Sequence, residues 1–201
     1  MRIDPAEFRA LNLRVNALLR DVPLEDAWSI PLSGGGDGRT IQDVRALLAE
    51  GRGNAPAAVK ALFALRHYVG NLLGWDDRSA VREGASFADR LTVEDRAASL
   101  DTPGTAHGSF NILYRFEHEQ LAEIRNATVL AFSSLSIRPV PGGYLLYLGV
   151  FVQPVHRFTR LYMALIAPFR RVIVYPALIR QVQSAWAKRY GVPPRQVVNQ
   201  K

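Results

Sequence analysis

FNILYRFEHEQLAEIRNATVLAFSSLSIRPVPGGYLLYLGVFVQ, residues 110–153, decides the fold. At its start Phe110, Ile112, Tyr114 and Phe116 alternate with Asn111, Leu113, Arg115 and Glu117, the two-residue period of a strand with one buried face. Residues 121–125, 128–138 and 144–153 continue the series. PVPGG joins the last two, and its Gly142 and Gly143 suit a tight hairpin. The stretch reads as an antiparallel meander.

On its C-terminal side, residues 157–190 are helical in character, about 50 Å long if continuous at 1.5 Å per residue. Pro168 and Pro176 predict a kink or break, because each removes a backbone donor and crowds the preceding turn. On a helical wheel Phe158, Leu161, Tyr162, Leu165, Ile166, Phe169, Val172 and Ile173 fill an arc of about 140°, wide enough to cover a sheet. Arg157, Arg160, Arg171 and Arg189 fall together on another side. Such a helix is a lid on a core, and its basic face also suits contact with anionic lipid, with Arg157, Arg160 and Arg171 facing the membrane.

On the N-terminal side, Asp4, Pro5 and Glu7 read as cap, first and third helical positions, predicting a helix over residues 5–20 with Phe8, Leu11, Val15 and Leu18 on one face. AWSIPL, residues 27–32, reads as a short strand followed by the loop SGGGDG. Thr40 and Asp43 open a helix through residue 49. A further helix is expected from Val59, Leu62, Phe63, Leu65, Val69, Leu72 and Leu73, ending near Gly74. The fold class is therefore α+β: an antiparallel sheet packed on a long C-terminal helix, with an extra N-terminal helix.

Charge divides the chain. No acid follows Glu123, so the last 78 residues carry 11 Lys and Arg unopposed, while residues 1–123 carry 14 bases and 18 acids. A stretch both cationic and apolar suits a greasy, negative partner, or closes a core with an Arg-rich outer face. With 201 residues, 48% hydrophobic and 21% charged, the chain fits one folded domain able to bury about 70% of its unfolded surface. It has no cysteine, which excludes disulfides, thiolate metal sites and a cysteine nucleophile. MRIDPAEF lacks the apolar run of a secretory signal, so residence in the cytoplasm, peripheral to the membrane if the Arg face engages it, is expected. Residues 161–179 do not suit a membrane span, because Arg170 and Arg171 at its centre cost about 2.5 to 3.5 kcal/mol each.

Familiar chemistry is missing. SGGGDGRT lacks the spacing of a phosphate loop, and Ala122 stands where HExxH needs its second histidine after His118 and Glu119. His67, His107, His118 and His156 are scattered, and no GxSxG or GxGxxG occurs. No metal and no cofactor is expected. Bases without a reading helix or a stacking sheet argue against nucleic acid.

Within RFEHEQLAEIRNAT, Glu123 and Arg125 stand two apart and share a strand face. Facing solvent they are unremarked; facing inward they must be paired or line a cavity as polar anchors. Tyr114, Tyr147 and Tyr162 are core aromatics or supply hydroxyls there. The candidate ligand-binding set is Tyr114, Glu123, Arg125, Tyr147 and Tyr162.

The stretches DAWSIPL, ALFALRHYVGNLLGW, FNILYRFEHEQLAEIRNAT and VQPVHRFTRLYMALIAPFRRVIVYPALI, spanning about residues 26–179, resemble an uncharacterised bacterial family of START-like (SRPBCC, helix-grip) proteins. Its members sometimes follow a short-chain dehydrogenase domain. The resemblance implies a curved sheet gripping the C-terminal helix over a hydrophobic cavity: an N-terminal helix over 1–23, a helix-grip domain over 24–190 and a flexible tail over 191–201. It implies binding of a hydrophobic small molecule or lipid without an established catalytic activity. The alternatives are a cyclase or aromatase using Glu123 or His118 as acid or base, and peripheral binding to an anionic membrane through the Arg face.

Overall fold

The computed structural model describes residues 1–50, 87–107, 110–125, 129–154, 163–164 and 166–191. The expected helix over residues 59–73 and the tail beyond Gly191 lie outside these. The chain is α+β, built on one six-stranded antiparallel curved sheet of order β1-β6-β5-β4-β3-β2. Its strands are β1 (Leu24–Ser33), β2 (Thr105–His107), β3 (Phe110–Arg115), β4 (Glu119–Arg125), β5 (Val129–Val140) and β6 (Gly143–Pro154). The meander from β3 to β6 is as read from the sequence, and β1 closes it by pairing with β6 along Trp28↔Leu148 and Ile30↔Leu146. Pro141 and Gly142 turn the chain between β5 and β6; Gly142 has φ of 81°, a conformation L side chains resist.

Both faces of the sheet are covered. Tyr144, Leu146 and Leu148 of β6 join Trp28, Ile30 and Leu32 of β1 in one apolar layer, against α3 (Ile41–Glu50) and the C-terminal helix. The alternate β6 residues Tyr147 and Phe151 point the other way, into a layer with Phe8, Val15, Leu18, Leu19 and Phe87. Phe8 meets the edge of Phe151 with ring centroids 6.1 Å apart. Gly149 lies between them on β6, where a Cβ would come within 2.6 Å of the Phe8 ring.

Local signals explain most helix starts. Asp4 accepts from the Ala6 N–H at 2.7 Å and Pro5 takes the first position of α1 (Pro5–Ala10). Asp43 reaches back to the Thr40 N–H at 2.9 Å at the head of α3. Thr92 and Asp95 form a reciprocal capping box on α4 (Val93–Ala98), a helix the sequence reading passed over.

Three expectations change. The single helix over residues 5–20 is two: α1 ends at Ala10, and α2 (Arg14–Leu18) starts after a turn in which the Asn16 side-chain amide donates to the carbonyls of Phe8 and Leu11. A side chain that binds main-chain carbonyls competes with helix continuation. In β3 the even alternation breaks at a register shift between Ile112 and Tyr114, so that neighbouring Leu113 and Tyr114 are both fully buried in the same layer.

The third change concerns the C-terminal helix, which runs without a break over residues 166–190. Pro176 cannot donate to Val172, and the chain responds with a π-helical turn, Arg170–Val174, in which the Tyr175 N–H bonds to the Arg170 carbonyl, before α5 (Tyr175–Tyr190) resumes. The surplus residue shifts the helix phase. Phe169 and Val172, placed by the ideal wheel on the sheet-covering arc, are 48% and 74% exposed. Within α5 the buried positions are Tyr175, Ala177, Val182 and Trp186, with the Trp186 indole N–H donating to the Ser33 carbonyl at 3.2 Å.

Candidate functional site

Two irregularities of backbone meet at the N-terminal end of the C-terminal helix. One is the π turn. The other is in β1, where the register slips between Leu24 and Asp26 and Glu25 is the extra residue of a bulge. Bulges and π turns re-aim side chains, and both gather at functional sites more often than regular elements do.

What they aim is a charged cluster. Asp26 follows the inward phase of Trp28, Ile30 and Leu32 and is 0% exposed. An uncompensated carboxylate there would be prohibitive. Arg171 Nε donates to Asp26 Oδ1 at 2.8 Å, Arg170 Nη2 lies 2.9 Å from Oδ2, and the Tyr175 hydroxyl donates to Oδ2 at 3.3 Å. Arg170 and Arg171 would point about 100° apart on an α-helix; the wider π turn lets both reach one carboxylate. Burial first, and then the negative charge of Asp26, push the Tyr175 phenol well above its ordinary pKa. The ring of Tyr175 packs against Trp28 at 5.2 Å between centroids, so the hydroxyl is held from both ends.

A pocket of about 440 Å³, partly open to solvent, adjoins the cluster. Glu25, Met163, Ala164, Ala167, Pro168 and Arg171 line it. Arg171 thus belongs to both, with its Nη2 also 3.4 Å from the Glu25 carbonyl. Arg170 Nη1 donates to the Met163 sulfur at 3.6 Å, fixing one wall. Farther along α5 the space is filled by Val182 and Trp186. The chemistry on offer is recognition: the Arg171 guanidinium reaches the pocket, while Arg170 and the Tyr175 hydroxyl are committed to Asp26 behind it, and Asp26 is sealed from solvent.

The residues singled out from sequence fall elsewhere. Tyr114 and Tyr147 join the layer beneath α1 and α2, on the sheet face opposite Asp26, and Glu123, 5% exposed, shares that face with Leu121 of the same layer. None of the three lines the pocket beside Arg171. The Tyr114 hydroxyl donates to Glu119 Oε1 at 2.5 Å, and the Glu119 carboxylate accepts the first N–H groups of α2, from Arg14 at 2.9 Å and Val15 at 2.8 Å. Burial and the Glu119 charge hold the Tyr114 phenol well above its ordinary pKa. That trio is a helix cap supplied by a distant strand.

His118 is in the β3–β4 turn, its side chain 52% exposed and 3.9 Å from Glu117. Arg125 closes β4, while its side chain, like Arg157, Arg160 and Tyr162, lies outside the described residues. Arg171, read as a membrane-facing cation, is tied to Asp26 and half buried. Asp26, Glu25, Arg170, Met163 and Ala167 were missed. The signal for Asp26 was available: in DAWSIPL it is a charge in step with three large apolar residues.

Among the described residues no helix is long and apolar enough to cross a membrane, and no group of three His, Asp or Glu side chains is placed to hold a metal. A family model described as "Protein of unknown function (DUF2867)" matches residues 18–177, from α2 to the start of α5. No curated protein and no solved structure matches the chain.

Proposed function

The chain belongs to the DUF2867 family, and from that premise we propose that it is a binding protein for a hydrophobic small molecule or lipid, held against the first turns of its C-terminal helix without catalytic conversion. One observation carries this reading. The pocket of about 440 Å³ is within the usual span of small-molecule sites, roughly 300 to 1,000 Å³, and most of the described residues that line it, Met163, Ala164, Ala167 and Pro168, are apolar. An apolar wall with few polar groups is the layout such sites share. The antiparallel sheet with its C-terminal helix also supports kinship with START-like, helix-grip proteins, whose ligands are hydrophobic.

Fluorescence of N-phenyl-1-naphthylamine tests it. Wild-type protein is expected to enhance the dye's emission, and Ala164→Trp, at an exposed lining position, to abolish the enhancement while leaving the thermal melt unchanged. Wild-type protein that leaves the dye dark, or a variant that binds as wild type does, would remove the proposal.

A second reading has its own observation. Phe169 and Val172 project into solvent from the helix that bounds the pocket, within the stretch that carries no acid. Apolar side chains on a basic surface suit peripheral attachment to an anionic bilayer. Co-sedimentation with phosphatidylglycerol vesicles should then fall on Phe169→Ser/Val172→Ser and on raising salt. Equal sedimentation with purely zwitterionic vesicles would rule the reading out.

A further inference from the structure

We infer, resting on the pocket reading above, that the ligand is a zwitterionic amphiphile: an oxyanion group set on Arg171, a cationic nitrogen group set on Glu25, and a hydrocarbon portion along Met163, Ala164, Ala167 and Pro168. The described residues that line the pocket include one arginine, Arg171, and one glutamate, Glu25, and their side chains are not paired with each other. Arg171 makes its ion pair with Asp26, and its contact with Glu25 is to the main-chain carbonyl. Among the described residues no ion pair reaches the Glu25 carboxylate.

The cluster behind the pocket sets the charge that an incoming group meets. Asp26 faces two guanidiniums, so one positive charge is in excess. The Arg170 side chain is 12% exposed and the Arg171 side chain 35% exposed. The excess is therefore presented at Arg171, the member that lines the pocket. A hydrocarbon chain lying on the apolar wall strips water from both lining charges, and a charge that loses water must gain a partner. A neutral head leaves both charges uncompensated. A purely anionic head satisfies Arg171 and repels Glu25; a purely cationic head does the reverse. A head carrying both signs answers both, and the guanidinium fork matches the paired oxygens of a phosphate or carboxylate.

The experiment compares four decyl amphiphiles below their micelle concentrations by isothermal titration: decylphosphocholine, decyl phosphate, decyltrimethylammonium and decyl maltoside. Decylphosphocholine is expected to bind wild-type protein about tenfold more tightly than decyl maltoside, the scale of one charge-assisted contact. Glu25→Gln should bring decyl phosphate level with decylphosphocholine. Arg171→Gln should weaken both phosphate ligands by a larger factor than it weakens the maltoside. Decyl maltoside binding as tightly as decylphosphocholine would overturn the charge assignment and leave the hydrophobic pocket standing; no binding of any of the four would overturn both. Protein that ignores monomeric decylphosphocholine yet binds phosphatidylcholine vesicles takes its zwitterion from a bilayer surface, which also overturns the assignment to the pocket.

Discussion

Arg171 Nε and Asp26 Oδ1 lie 2.8 Å apart across 145 residues of chain, fastening the π turn of the C-terminal helix to the bulged end of the first strand. The pair belongs to a trio around the buried Asp26 carboxylate, with Arg170 2.9 Å away on the other oxygen. Replacing Asp26 by Ala leaves two guanidiniums without their shared carboxylate, one of them, Arg170, 12% exposed. Removing one partner of a buried ion pair typically costs about 3 to 5 kcal/mol. Asp26→Ala is expected to lower the urea midpoint by a corresponding amount, and Asp26→Ala with Arg170→Met to recover part of it. A single variant as stable as wild type would show that the cluster contributes nothing to the fold.

Glu119 joins β4 to α2 through two main-chain N–H groups and to β3 through the Tyr114 hydroxyl. Glu119→Gln keeps the shape and removes the charge that complements the helix N-terminus, with an expected loss of about 1 to 2 kcal/mol. Tyr114→Phe leaves one carboxylate oxygen short of a donor. A double-mutant cycle should give a coupling of about 0.5 to 3 kcal/mol between the two; additive losses would dissolve the trio.

Acid should loosen the molecule at two named carboxyls. Burial raises the pKa of Asp43, but hydrogen bonds from the Thr40 N–H, Tyr190 and Arg39 outweigh it and hold the group below its ordinary value. Asp95 behaves alike, with Arg14 and Thr92 outweighing burial. A folded pKa below the unfolded one gives stability that is complete above the ordinary aspartate value, about 3.9, and is lost as pH falls through the folded value. Melting temperature should therefore fall from about pH 4 downward, and Asp43→Asn should make that acid limb shallower. An unchanged limb in the variant would show that Asp43 titrates alike in both states.

Gly149 faces the Phe8 ring at a distance that leaves no room for a methyl group. Gly149→Ala is expected to cost about 1 to 3 kcal/mol by overpacking, measured by urea denaturation. Phe8→Leu, which cuts back the ring, should offset part of that loss when the two are combined. Losses that simply add would place the strain in the strand backbone.

The sequence carried the sheet further than it carried the site. Alternation at the start of the meander, the turn read at Gly142 and Gly143 and the Asp4 and Thr40 caps are local signals; the meander and the helix starts are present, with the turn at Pro141 and Gly142 and the first helix ending at Ala10. Asn16 ended a helix that periodicity alone would have continued, because its amide binds carbonyls that no wheel displays. Pro176 was read as a kink or break; its effect is an inserted residue, which turned Phe169 and Val172 outward. The charged cluster joins position 26 to positions 170, 171 and 175, and such a union depends on strand order and helix phase together. Glu123 drew attention for being charged within a greasy meander. Asp26 met the same criterion in β1, and it is the carboxylate that Arg170 and Arg171 meet.

The outer side of β1 bears on how the protein behaves toward copies of itself. Arg2 bridges to Trp28, the Ile3 N–H bonds to the Ala27 carbonyl and the Ser29 N–H bonds to the Met1 carbonyl. The opening residues thus occupy part of a ladder that a ten-residue border strand would otherwise offer to any passing chain. The opposite border, β2, is three residues long and fully exposed, too short to template much pairing. Trimming the first four residues would bare the longer border and open a route to strand exchange and fibre growth.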